Sequence, residues 1–254
     1  MQKKLVKKPL KKIVRTLRVF SRHPTHSILR RAVINTGNIW ACIRFGSETV
    51  GALPYKVEIN TPQAVRNSAN KLLMKECFKA NNVKTADWEK CKTRAQVLAF
   101  ARDRYPVVTK SLFGSRGRGN TLIHSEAELT TWLANKNLND YIIEKFYNYS
   151  REYRLHVTAQ GYFYACRKML KQDTPENLRW FRNDSNSVWI VEQNEQFDCP
   201  VNWAACIEES VKALNAVGLD VGAVDLRIQS ASCKTEGRRT FPDFIIVEIN
   251  SAPS

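Results

Sequence analysis

The spacing of apolar positions changes character along the chain, and each change marks a different kind of element. From Val6 through Leu10, Ile13, Leu17 and Phe20, apolar side chains recur at steps of four, three, four and three. That spacing draws one stripe on an α-helix. Lys7, Lys8, Lys11, Lys12, Arg15, Arg18 and Arg22 fill much of the remainder, which predicts a cationic amphipathic helix. Residues 32–66 carry short strand-like pieces, at 31–35 and 39–45, broken by Gly37, Gly46, Gly51 and Pro54. From Ser68 the pattern sharpens into a helix over 70–79, with Leu72, Leu73, Cys77 and Phe78 on one side, and a second helix follows over about 93–103. β-like runs then dominate, at 105–111, 120–124, 141–146, 152–159, 162–168, 188–191, 221–229 and 244–249. Helical patterns intervene at 125–136 and at 202–217, the latter aligning Trp203, Ile207, Val211 and Leu214. The predicted class is α+β, with antiparallel sheets flanked by helices. Polar stretches at 171–187 and 230–240 are expected to be mobile loops.

Composition narrows this picture in two ways. A hydrophobic content of 43% over 254 residues is enough to bury a substantial core, so a folded protein is expected rather than a disordered one. No apolar run is long enough to span a bilayer, and no apolar core follows the basic N-terminus as in a secretory signal, so a cytoplasmic protein is expected. Seven scattered cysteines without a Cys-x-x-Cys pair are expected to be reduced thiols, and a structural zinc site is not expected. The formal charge of +16 is concentrated at the start, because residues 1–31 hold eleven Lys or Arg and no acid. Such an arm suits nucleic-acid phosphates or another polyanion, an anionic membrane surface or an acidic partner, or serves as a solubilising extension. The chain divides accordingly into a basic segment 1–31, an abbreviated region 32–66 and a larger domain 67–254.

Candidate chemistry gathers in that domain. The strand ending at Lys110 runs into Ser111-Leu112-Phe113-Gly114-Ser115-Arg116-Gly117-Arg118-Gly119, where glycines let backbone amides approach an anion and arginines neutralise phosphate oxygens. The loop is neither a Walker A loop nor a dinucleotide fingerprint, and by itself a basic hairpin turn explains it as well. Lys110 is placed to reach phosphates, and Lys71 near a helix start is a weaker candidate. Strand side chains alternate, so Glu248 and Asn250 share a face. If the strand carrying Asp225 is their neighbour, three oxygen ligands converge as a site for a hard cation such as Mg²⁺. The segment Glu144-Lys145-Phe146 is expected to turn into a hinge whose backbone could pair with an adenine edge. Beyond it Glu152, Arg154 and His156 alternate on one strand face; Glu152 could accept ribose hydroxyls, although cross-strand ion pairing is the plainer reading of Glu152 and Arg154.

In order, these pieces resemble the ATP-grasp superfamily over residues 68–254, and most of all its RimK-type carboxylate–amine (amino-acid) ligases. Lys71 with its helix is similar to the segment opening the ATP-binding region, and Lys110 with Gly114, Ser115, Arg116, Gly117 and Gly119 to the phosphate-binding strand and flap. Glu144, Lys145 and Phe146 resemble the adenine hinge, Glu152 and Arg154 the later acid–arginine pair, and Asp225, Glu248 and Asn250 the metal triad. Of these, Glu-x-Asn followed by a small residue and Pro is the most specific element. The resemblance implies two α+β lobes whose antiparallel sheets hold ATP and Mg²⁺ (or Mn²⁺) between them, and a carboxylate activated as an acyl phosphate that an amine then attacks, releasing ADP and phosphate. Arg154 and Lys168, or Arg167, are then expected to grip the carboxylate or acyl phosphate, with Arg182 and Asn183 as further nucleotide contacts. The implied substrates are an amino acid and a peptide, protein or other macromolecule. Transfer of phosphate alone, as in an ATP-grasp kinase, and a non-catalytic polyanion-binding role are the alternatives. The region before Lys71 is shorter than the N-terminal domain usual in that family, so an acceptor pocket either incomplete or rebuilt by the basic tail is expected; the sequence also ends four residues after Asn250, where relatives generally continue, and a further terminal segment or a partner chain would each account for that.

Overall fold

The computed structural model describes residues 16–21, 39–50, 55–114, 117–183, 185–192, 197–229 and 243–252. They form three sheets. Strands β1 (Thr16–Ser21), β2 (Ile39–Phe45) and β3 (Val57–Ile59) make a small parallel sheet in that order. A four-stranded antiparallel sheet has the order β4-β7-β5-β6, built from β4 (Trp88–Glu89), β5 (Val107–Ser111), β6 (Thr121–Ile123) and β7 (Tyr141–Lys145). A five-stranded antiparallel sheet has the order β10-β9-β8-β11-β12, from β8 (Arg151–Thr158), β9 (Gly161–Leu170), β10 (Ser187–Val191), β11 (Val221–Ile228) and β12 (Phe244–Asn250).

The α+β class with antiparallel sheets therefore stands, and two expectations are corrected. Residues 16–21 are a strand and not the end of a cationic helix. The segment Thr-Leu-Arg-Val-Phe-Ser fits a period of two as well as one of three or four, and pairing with β2 decides between them. The rest of that predicted helix, the 31–35 strand and the 230–240 loop lie outside the described residues. A helix was also missed: α1 (Pro62–Ala69) starts on a Thr61 cap with Pro62 in its first turn.

Asn70 then ends α1 and caps α2 (Lys71–Ala80), its side chain accepting from the Leu72 and Leu73 amides at 2.9 and 3.2 Å. The buried face of α2 is Met74, Lys75 and Phe78, with Leu72, Leu73 and Cys77 only half-buried, so the helix is rotated from its expected setting. Helices α1, α2 and α5 (Trp203–Val217) cover one face of the five-stranded sheet around a core that includes Phe78, Tyr153, Leu155, Leu214, Val224 and Ile246. Helices α3 (Arg94–Ala101) and α4 (Glu126–Leu133) cover the four-stranded sheet over Val97, Val107, Leu129 and Ile143. Asn60 fastens the small parallel sheet to the larger one. Its amide N–H donates to Asp220 Oδ2 at 2.7 Å, and its side chain donates to the Val221 carbonyl at 3.0 Å. No helix among the described residues is long and apolar enough to cross a membrane, and the six described cysteines are free.

Strand β12 carries an irregularity that matters for the site. Asp225 lies opposite Glu248 but Leu226 opposite Ile246, so Val247 is an extra, bulged residue. Phe244 and Ile246 pack into the core before the bulge, and Ile249 does so after it. The alternation has changed phase, which turns Glu248 and Asn250 to the other face.

Candidate active site

That other face, which no helix among the described residues covers, looks across a cleft of about 560 Å³ toward the four-stranded sheet. The floor comes from β8, β9, β11 and β12, and register aligns its side chains into ranks. Arg154, Asp225 and Glu248 stand opposite one another on β8, β11 and β12, and Lys168, Glu152 and Arg227 form the neighbouring rank on β9, β8 and β11. Asp225 and its strand are thus the neighbours of Glu248, as the sequence reading required.

The floor is dense with charge. Arg154 grips Asp225 in a fork, Nε to Oδ1 at 2.7 Å and Nη2 to Oδ2 at 2.9 Å, and Lys168 Nζ adds a contact to Oδ2 at 2.8 Å. Lys168 also reaches Glu152 Oε1 at 3.1 Å, while Arg227 Nε donates to Glu152 Oε2 at 2.8 Å and Arg182 lies 3.7 Å from the same oxygen. Cross-strand ion pairing of Glu152 and Arg154 is therefore what the structure contains. Burial alone would raise the Asp225 pKa, but Lys168 and Arg154 overcome it and hold the carboxyl well below the usual range. Glu152 is lowered in the same way, burial being outweighed by Arg227 and Lys168. Burial works against the Arg154 and Lys168 cations, and Asp225 outweighs it, so both stay protonated. Trp189 on β10 stacks beneath the two cations, 4.7 Å from the guanidinium and 4.9 Å from the ammonium. Glu248 is far less constrained, with one long hydrogen bond among the described residues, from Asn250 Nδ2 at 3.4 Å.

The roof carries the opposite arrangement. Lys110 on β5 pairs with Glu144 Oε2 on β7 at 2.6 Å, and Lys75 of α2 lies 3.0 Å from Glu144 Oε1. Lys71, at the start of the same helix, donates to the Gly114 carbonyl and so holds the glycine loop, and burial depresses its pKa. In that loop a Cβ on Gly114 would come within 2.3 Å of the Arg118 carbonyl oxygen. A Cβ on Gly117, which takes φ +76°, would meet the Phe181 ring at 3.2 Å. Gly119 takes φ +78°, and Ser115 and Arg116 lie outside the described residues.

At the hinge the Lys145 amide donates to the Asp87 carbonyl at 2.9 Å and the Phe146 amide to the Pro106 carbonyl at 3.0 Å, so both donors are already engaged. The Phe146 ring packs edge-on against Trp180, which packs against Phe181, giving the cleft an aromatic end. Arg182 borders it, its Nε buried and without a hydrogen-bond partner among the described residues, and burial lowers its pKa. The amide N–H of Asn183 donates to Asn186 Oδ1 and its Oδ1 accepts from the Asn186 amide, so it closes a turn at the cleft edge. The structure thus brings Lys71, Lys110, Glu144, Lys145, Phe146, Glu152, Arg154, Lys168, Arg182, Asn183, Asp225, Glu248 and Asn250 around one cavity, with Gly114 and Gly117.

Sequence reasoning missed Lys75, Arg227, Trp180, Phe181 and Trp189. Lys75 could have been found from its place one turn after Lys71, whereas the aromatics lay in a polar loop and on an edge strand.

Against family models, residues 76–202 match the ATP-grasp domain, half of the chain. The chain belongs to the ATP-grasp family. Solved structures agree in fold. N5-carboxyaminoimidazole synthetase from Staphylococcus aureus complexed with ADP superposes with a TM-score of 0.59 at 18% identity, covering 86% of this chain and 55% of that one. Carboxyaminoimidazole ribonucleotide synthase from Aspergillus clavatus complexed with ATP gives 0.58 at 18% identity, covering 84% and 54%. The ATP-grasp ligase PsnB, complexed with a phosphomimetic variant of its minimal precursor, Mg and ADP, gives 0.52 at 12% identity, covering 78% and 54%. The chain thus spans about half the length of each. Among curated protein sequences no match was found.

Proposed function

We propose that this ATP-grasp chain is an ATP- and Mg²⁺-dependent carboxylate–amine ligase of RimK-like type, joining an amino acid to a peptide, protein or other macromolecule. The observation that carries this reading is the cleft itself. Lys71 and Lys110 face Asp225, Glu248 and Asn250 across a cavity of the size that holds small ligands and cofactors. The donor set fits its ligands. Seven cations (Lys71, Lys110, Lys145, Arg154, Lys168, Arg182 and Arg227) and four carboxylates (Glu144, Glu152, Asp225 and Glu248) line the cleft, an excess that suits a triphosphate. Two carboxylates and an amide suit a hard cation that keeps waters and phosphate oxygens as its other ligands.

In this reading Glu248, Asn250 and Asp225 hold Mg²⁺, which when bound would neutralise charge on the transferring phosphoryl group. Lys110 and Lys71 take the phosphates, and the loop over 114–119 closes above them to exclude water. Phe146, Trp180 and Phe181 form the wall for the base, with Lys145 and Glu144 behind it. Arg154 and Lys168, already cationic and stacked on Trp189, orient the substrate carboxylate. Residues 67–254 form the ATP-grasp domain, and the small parallel sheet borders the acceptor end of the cleft, where Gly46, Ser68, Ser251 and Ala252 line it.

Mass spectrometry after incubation with ATP, Mg²⁺, mixed amino acids and candidate acceptors tests the proposal. ADP, phosphate and an amide adduct are expected, all dependent on Glu248. Release of AMP, or turnover unchanged in Glu248→Gln, would overturn it, and a phosphorylated product without an amide would make the chain a kinase.

A further inference from the structure

Lys71 and Lys75 lie one turn apart on α2 in contrasting surroundings. Lys71 reaches the glycine loop at the cleft wall, whereas Lys75 is only 1% exposed and packs between Met74 and Phe78 in the sequence of the buried face. Burying an ammonium is costly, and a methionine or leucine would fill the same space without that cost. Packing does not explain this lysine, but its contacts do.

Lys75 Nζ lies 3.0 Å from Glu144 Oε1 and donates to Thr85 Oγ1 at 2.5 Å. The Thr85 hydroxyl donates to the Ile246 carbonyl at 2.8 Å, and the Ile246 amide returns to the Lys84 carbonyl at 2.8 Å. Glu144 Oε2 holds Lys110 at 2.6 Å. A continuous polar chain therefore runs Lys110, Glu144, Lys75, Thr85, Ile246. It starts on the four-stranded sheet and ends on β12, one residue before the bulge that presents Glu248. A carboxylate with a single cationic partner concentrates its attraction on that partner. With two partners the charge is shared, and Lys110 retains attraction for an incoming anion.

We propose that Lys75 is a positioning residue for the phosphate-binding lysine: it divides the Glu144 carboxylate with Lys110, leaving Lys110 available to the nucleotide, and through Thr85 fixes Lys110 relative to Glu248. This rests on the nucleotide reading above. Burial brings the Lys75 ammonium down to about 8, with Glu144 supporting its charge, Lys110 opposing it and Glu248 supporting it more weakly. These three, from β7, β5 and β12, are the charged groups among the described residues that act on it most strongly. Above that pH Glu144 would have Lys110 alone.

The test is calorimetric titration of the full chain with ATP and Mg²⁺, and separately with adenosine. Lys75→Met is expected to weaken ATP roughly ten- to hundredfold, the range for one contact to a charged group, with adenosine affinity unchanged. Lys75→Arg should retain most ATP affinity. Lys75→Met combined with Glu144→Gln should recover it, because no carboxylate then holds Lys110 back. Wild-type ATP affinity should fall as pH rises through about 8, a step missing in Lys75→Met. Equal loss of ATP and adenosine, unchanged ATP binding, or a double variant as weak as the single one would overturn the proposal. If Lys75→Met does not fold, the double variant decides by itself, since its buried pair is neutral: near wild-type ATP affinity supports the proposal and a tenfold loss refutes it. A wild-type chain that binds no ATP would refute the nucleotide reading itself, an outcome distinct from any of these.

Discussion

Asp225 and Glu248 stand opposite each other on adjacent strands, yet their neutral amides should behave differently. Asp225 is 3% exposed and makes charge-assisted contacts at 2.7, 2.9 and 2.8 Å to Arg154 and Lys168, which are 9% and 6% exposed. Asp225→Asn leaves those cations buried without their main counter-charge. Breaking a buried pair this way costs about 3–5 kcal/mol, and in a protein of this size each kcal/mol lowers the melting temperature by about 2–4 °C. A drop of roughly 6–20 °C follows. Among the described residues Glu248 makes one hydrogen bond, at 3.4 Å, so Glu248→Gln should stay within about 0.5 kcal/mol of wild type. Differential scanning calorimetry of the unliganded proteins measures both, and titration with Mg²⁺ and ATP then separates stability from binding, which Glu248→Gln should abolish. Equal destabilisation by the two variants, or a stable Asp225→Asn protein, would refute the assignment of Asp225 as a structural counter-ion as well as a metal ligand.

Other outcomes follow from the same geometry. Lys110→Met should raise the KM for ATP about tenfold or more through loss of a charge-assisted contact, measured by ADP release. Gly114→Ala places a methyl where only 2.3 Å separates it from the Arg118 carbonyl oxygen; the loop must shift, so kcat/KM for ATP should fall while the melting temperature of the unliganded chain changes little. Chelation by EDTA should stop turnover without lowering that melting temperature, because Arg154 and Lys168 already compensate Asp225. Asp225, Glu144 and Glu152 all have folded pKa values below their ordinary ones. Their stabilisation is therefore complete above the unfolded values near 4 and is lost as pH falls through the folded ones. Acid titration followed by circular dichroism should show that limb, and Asp225→Asn should flatten it.

The strands were legible because their periodicity is local: the runs at 141–146, 221–229 and 244–249 match β7, β11 and β12 to within a residue. Helix α1 escaped notice because Pro62-Gln-Ala-Val-Arg-Asn-Ser-Ala offers Val65 as its one large apolar residue, although Thr61 and Pro62 announce its start. Strand β1 was illegible in principle, since the partner that makes it a strand begins at Ile39, beyond any local window. In the site, alternation alone put Glu248 and Asn250 on one face. It could not show that Glu144 meets the site through two lysines, because a lysine on an amphipathic helix looks solvated until a carboxylate from another element is found above it. The end of the strand at Lys145 was legible along the chain, but the engagement of the Lys145 and Phe146 amides by Asp87 and Pro106 depends on neighbouring segments.

Val247 makes β12 behave like a reading frame. Upstream of it, the phase of the strand is set by Phe244 and Ile246, which belong to the core; downstream, it is set by Glu248 and Asn250, which belong to the cleft. Removing that one residue would leave a regular ladder, with Ile246 still opposite Leu226 and Glu248 still opposite Asp225, so every remaining side chain would keep its face while the local bend of the strand was lost. Point substitutions along β12 therefore test individual side chains, whereas deletion of Val247 tests the bend by itself, with Glu248 and Asn250 still on the cleft face.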